Sequence, residues 1–83
     1  MALINDLCDK LAQDVVAAMD ELGDDRFHEK VSKVLLDMSP TTQEVYLTSI
    51  RVLLAERKAR AFLNAALKAK REGGAAPYVD VGR

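Results

Sequence analysis

SPTTQEVYLTSIRVLLAERKARAFLNAALKAKRE, from Ser39 to Glu72, decides the fold: after Pro40 neither Gly nor Pro recurs until Gly73. Two helix starts stand at its head. Ser39 can cap with Pro40 at the first helical position, where a missing N–H costs nothing. Thr41 can cap with Glu44 three residues on, a reciprocal capping box. The spacing predicts a helix over about 41–72, some 31 residues or roughly 46 Å at 1.5 Å per residue. Two shorter helices of the same small chain are not long enough to cover it. Part of it must meet another subunit or stand in solvent.

The run changes character halfway. Its first half is apolar on two faces, with Tyr46, Leu47, Ile50, Leu53 and Leu54 on one and Val45 and Val52 on the other. A helix apolar on two sides lies between two partners. In the second half a single apolar face survives, carrying Ala59, Phe62, Leu63, Ala66 and Leu67. It joins a heptad seam through Val45, Thr48, Val52, Ala55, Ala59, Phe62, Ala66 and Ala69, in which every residue but Phe62 is small. Heptad spacing keeps a seam on a neighbouring helix, and small residues let two backbones approach. The expectation is a homodimer built on this helix, with Val45, Tyr46, Ile50, Val52, Leu53, Ala59, Phe62 and Ala66 at the interface. The alternative is that the seam receives the other two helices of its own chain.

The other face of the second half is basic. Arg57, Arg60, Asn64, Lys68 and Arg71 fall within about 80° of one another on a helical projection. Such a stripe can follow a phosphate backbone by displacing counterions, bind an acidic partner, or serve as a solvated face neutralised by the chain's own acids. Glu56 and Arg60 are themselves spaced as an i,i+4 pair. Ser39-Pro40-Thr41-Thr42, then Tyr46, Ile50-Arg51 and Leu53-Leu54, with Phe27 upstream, resembles the helix-start pattern in the DNA-gripping N-terminal domain of tyrosine recombinases. That resemblance implies DNA contact. It is confined to the segment from Phe27 to Leu54, it does not extend to that family's catalytic Arg, His and Tyr residues, and the helix runs on where that family turns.

Working back toward the N-terminus, Ile4, Leu7, Cys8, Leu11, Val15, Ala18, Met19 and Leu22 occupy an arc of about 140° at 100° per residue, an amphipathic helix over about 3–22. Asp6, Asp9, Gln13, Asp20 and Glu21 take its other side, and Gly23 stands at the C-cap position. Asp24 and Asp25 offer carboxylates to the free amides of a second helix, about 25–38. In that helix Phe27, Val31, Val34, Leu35 and Met38 repeat at helical spacing, and Glu29 precedes Lys33 by four residues. Residues 73–83 hold three of the four Gly and one of the two Pro, and are expected to form a flexible tail. The fold class is all-α: a helical hairpin or bundle in one domain over 1–72, completed by dimerisation.

Composition supports this and narrows the chemistry. The 83 residues are 49% apolar, and the sequence contains 12 Ala and 11 Leu, the strongest helix formers. Without the alanines little remains for a core, and small scaffolds add a disulfide, a metal or a second subunit. One cysteine closes no internal disulfide, and one histidine makes no two-His metal site. The net charge of −1 conceals a segregation: residues 1–30 hold eight acids and three bases, residues 51–71 seven bases and one acid. Four aromatics without Trp leave few rings for stacking bases, and the near-neutral balance argues against a general nucleic-acid binder. Catalytic constellations and Gly-rich phosphate loops are missing, so no catalytic, cofactor or metal residues are assigned and no small-molecule substrate is implied. No apolar run approaches a membrane span, and Met1 to Asp14 carries three acids and one Lys, unlike a secretory signal; the expected location is the cytoplasm. The expectation is a non-enzymatic regulatory or adaptor protein acting as a homodimer through protein–protein contacts. The alternatives are a small DNA-binding protein using the basic stripe, or a phage- or plasmid-type inhibitor whose acidic first helix fills a basic groove.

Overall fold

A computed structural model describes residues 2–73. They form three helices and no strand: α1, Ala2–Leu22; α2, Phe27–Met38; α3, Pro40–Arg71. The part of the tail expected over 74–83 lies outside the described residues.

Each boundary has a local cause. α1 stops at Gly23, whose φ of 65° suits a residue without a Cβ. The Gly23 amide donates to the Asp20 carbonyl at 3.3 Å and the Asp24 amide to the Met19 carbonyl at 3.1 Å, the paired bonds of a Schellman cap. α2 is preceded by Asp24, whose carboxylate accepts from the Arg26 amide at 3.0 Å and from the Lys30 ammonium at 2.7 Å. The Lys30 bond, with the Arg26 amide second, holds the Asp24 carboxyl below the usual carboxylate range. Glu29, spaced to meet Lys33, instead lies 3.8 Å from Arg26. Of the two starts available to α3, the chain takes Ser39: its hydroxyl accepts from the Thr42 amide at 3.1 Å, and Pro40 occupies the first turn.

The helices run up, down, up. Cross-links of rising register set α1 parallel to α3: the Cys8 thiol donates to the Thr42 carbonyl at 3.6 Å, the Ser49 hydroxyl to Asp9 at 2.6 Å, and Arg57 meets Asp20. α2 lies antiparallel to both. Its Ser32 hydroxyl accepts from the Gln43 amide nitrogen at 3.0 Å, and its His28 carbonyl accepts from the Tyr46 hydroxyl at 2.9 Å.

Six residues form the core: Cys8, Ala12, Val15 and Met19 from α1, Tyr46 and Ile50 from α3. Ile4, Leu11, Phe27, Val31, Leu35 and Leu53 pack against it half-buried. Leu7 and Leu22, expected on the buried face of α1, are exposed, while Ala12 is fully buried; α3 approaches close enough for a methyl group to fill the gap. α2 is turned relative to its apolar pattern. Val34 and Met38 face solvent, Met38 at 84% exposure, and Ser32 is buried in their place. The hydrogen bonds from Gln43 and Tyr46 explain this rotation, because a buried phenol and a half-buried amide need acceptors and His28–Ser32 is where α2 supplies them.

Candidate functional site: the uncovered half of helix α3

The body of the bundle ends near Arg57. From Ala55 to Arg71 no residue of α3 is buried, and only Ala66 and Ala69 are half-buried. α3 is 32 residues long, about 48 Å, and its last fourteen residues, Lys58 to Arg71, form an arm beyond the end of α1. The arm stays helical on local terms. It is rich in Ala, Leu, Lys and Arg, and Lys68, Lys70 and Arg71 in the last turn complement the partial negative charge there.

Two faces of this helix matter. The face that points into the core along the first half carries Tyr46, Ile50 and Leu53. These three were expected at a dimer interface, but Tyr46 and Ile50 are 0% and 1% exposed within their own chain and Leu53 packs half-buried beside them. A wide ring and two branched aliphatics fill a core whose α1 side presents the small Cys8 and Ala12 beside Val15 and Met19. Burial also pushes the Tyr46 phenol up to about 12. Past Leu54 the same face turns basic, so the arm has no apolar demand on that side.

The opposite face carries the seam, of which no residue beyond Val45 is buried. Val52 is 62% and Phe62 51% exposed; Thr48, Ala55 and Ala59 are exposed, and Val45, Ala66 and Ala69 half-buried. Val45, at the start of the seam, packs against the core of its own chain, and the seam residues from Thr48 to Phe62 are exposed. Leu63 and Leu67 widen the same apolar surface, at 46% and 40% exposure. Apolar side chains gathered along one side of a helix, rather than scattered singly, make that side a candidate interaction surface.

The basic stripe is partly neutralised. Arg57 pairs with Asp20 of α1, and Arg60 reaches Glu56 through two nitrogens at 2.9 and 2.7 Å. Asn64, Lys68 and Arg71 are exposed. The acidic first helix thus answers the stripe at its start and leaves the remainder open.

Elsewhere the surface offers little chemistry. Among the described residues no group of three His, Cys, Asp or Glu could hold a metal ion, and no helix is long and apolar enough to cross a membrane. Between the first turns of α1 and α3 lies a cleft of about 310 Å³ lined by Leu3, Ile4, Leu7, Cys8 and Thr42. Its thiol is committed to the Thr42 carbonyl, and burial, followed by the charge of Asp9, raises its pKa, which keeps it protonated and a poor nucleophile. His28, by contrast, has a buried Nδ1 with no hydrogen-bond partner, so the two do not form a Cys–His pair. Ala12, Ser32 and the Ser49–Asp9 link escaped the sequence reading; a small or polar residue on an amphipathic helix carries no signal of burial until its neighbour is known. No family model, no curated protein and no solved structure matches the chain.

Proposed function

We propose that this protein is a non-enzymatic regulatory or adaptor protein that works through protein–protein contact, as a homodimer joined along the back of α3. One observation carries the reading: beyond Val45, which packs against the core of its own chain, the heptad seam continues along α3 from Thr48 to Ala69 with no residue of it buried. A bundle with six buried apolar side chains has little stability to spare, and covering a second apolar face adds burial that the monomer lacks. Light scattering after size exclusion, at tens of micromolar, tests it. The expected mass is twice the 9.1 kDa of the chain. Ala59→Glu, a substitution at an exposed helical position that accepts Glu readily, is expected to halve that mass with helix content unchanged. A folded monomer for the unsubstituted chain sinks the reading.

A second reading is favoured by the open end of the stripe: Asn64, Lys68 and Arg71 extend beyond the last acid that α1 provides, and form a phosphate-contacting surface. Titration with duplex DNA at about 50 mM and about 200 mM salt separates the two. Binding that falls steeply with salt and is lost in Lys68→Ala with Arg71→Ala supports it; no binding at the lower salt removes it.

A further inference from the structure

The seam has a direction as well as a position. We infer that its occupant is a second copy of the chain running antiparallel, so that the arm of each protomer lies along the back of the other's covered half; this rests on the dimer reading above. Two independent observations carry it.

The first is size. Centred near Arg57, an antiparallel pairing sets Val45 opposite Ala69, Thr48 opposite Ala66, Val52 opposite Phe62 and Ala55 opposite Ala59. The one large ring meets a Val flanked by Ala55, and each larger side chain toward the ends meets an alanine, so the gap between the helices stays even. A parallel pairing sets every residue against itself. Phe62 then meets Phe62 of the second copy between layers of Ala59 and Ala66, which asks the backbones to separate in the middle of a stretch of alanines built for close approach. Close packing disfavours both the overlap and the voids that separation leaves.

The second is charge. Residues 2–57, the body, hold eleven acids and six bases; residues 58–73, which contain the arm, hold five bases and one acid. In a parallel pair a body of charge −5 lies beside a body of charge −5, and +4 beside +4. In the antiparallel pair each basic arm runs beside an acidic body. Lengths agree as well: the arm from Lys58 to Arg71 is about 21 Å long, and the back of the partner's covered half, from Glu44 to Arg57, offers the same. The stripe through Asn64, Lys68 and Arg71 points away from the seam and stays open in such a dimer.

Crosslinking at a distance from the centre decides it. Thr48→Cys and Ala66→Cys are made in separate chains; both sites lie outside the core, and light scattering of each variant is run alongside. In the antiparallel dimer two copies of Thr48 sit about 27 Å apart along the axis, far beyond the roughly 7 Å that a disulfide spans between Cα atoms. The expected result is a crosslinked species only when the two variants are mixed under mild oxidation. The unsubstituted chain, whose Cys8 is buried, gives none. Crosslinking of either variant alone reports a parallel pair and overturns the orientation while leaving the dimer standing. A dimer by scattering that crosslinks in no combination overturns the seam as its interface. A monomer by scattering overturns the dimer reading itself, and the orientation with it.

Discussion

From Pro40 to Arg57, α3 is an inner member of a bundle; from Lys58 to Arg71 it runs past the end of α1, and none of those residues is buried. The two stretches share a backbone conformation and differ in what holds it. In the first, Tyr46 and Ile50 are buried against α1 and α2, and Gln43, Tyr46, Ser49 and Arg57 each reach a partner on another helix. In the second, propensity, the Arg60–Glu56 pair and a basic last turn suffice. The contrast teaches that the length of a helix and the extent of its packing are separate quantities. Where length exceeds packing and the excess stays apolar on one side, that side is the surface the proposed dimer would cover.

The contrast can be broken by substitution. Ile50→Ala carves a cavity in the covered half and is expected to cost about 2–5 kcal/mol, seen as an early midpoint in urea; in so small a core that approaches the whole stability. Leu63→Ala, a comparable truncation in the uncovered half, is expected to leave the urea midpoint of the dilute protein nearly unmoved. Equal losses at the two sites contradict the division of α3 drawn here.

Smaller changes sharpen it. Tyr46→Phe removes the bond to the His28 carbonyl and is expected to cost about 1 kcal/mol at neutral pH. It also removes a pH dependence. The folded chain holds the Tyr46 proton to about pH 12, whereas an unfolded tyrosine releases it near 10. The folded state therefore binds more protons across that interval, so stability is intact below about pH 10 and is lost as pH rises toward 12. Thermal melts of the two proteins at pH 9 and pH 11 are expected to show the steeper alkaline loss in the unsubstituted chain alone. Ser39→Ala, which removes the cap of α3, is expected to cost about 1 kcal/mol by the same assay. The smallest effect belongs to Asp24. Its lowered pKa stabilises the fold at pH values above the ordinary carboxylate range, a contribution lost as pH falls through the folded value. Asp24→Asn, which carries no titrating carboxyl, is expected to flatten that acid limb slightly and leave the alkaline one untouched.

Much of the fold was legible because its signals are local. Gly23, Ser39-Pro40 and the unbroken run to Gly73 are punctuation readable without tertiary structure, and all three helices fall within two residues of where the pattern sets them. The excess length of α3 was legible for the same reason. What escaped was pairing. Tyr46, Ile50 and Leu53 are apolar on a helix with two apolar faces, and periodicity alone does not say which face the chain keeps for itself. α2 misled in the same way: Val34 and Met38 repeat correctly, yet the orientation of α2 answers to hydrogen-bond donors on α3, Gln43 and Tyr46, which no pattern within α2 reveals. Arg57 lay midway. Its charge was evident, but that it meets Asp20 follows only from the parallel register of α1 and α3.

Amide hydrogen exchange along α3, followed at two protein concentrations, tests the central claim most directly. The account predicts that amides from Tyr46 to Leu54 are protected at both, because the body of the bundle holds them. Those from Ala59 to Lys70 are predicted to be protected at tens of micromolar and to exchange much faster on dilution, as the second copy leaves the seam. An arm that exchanges at one fast rate at every concentration, beside an unchanged first half, would contradict it.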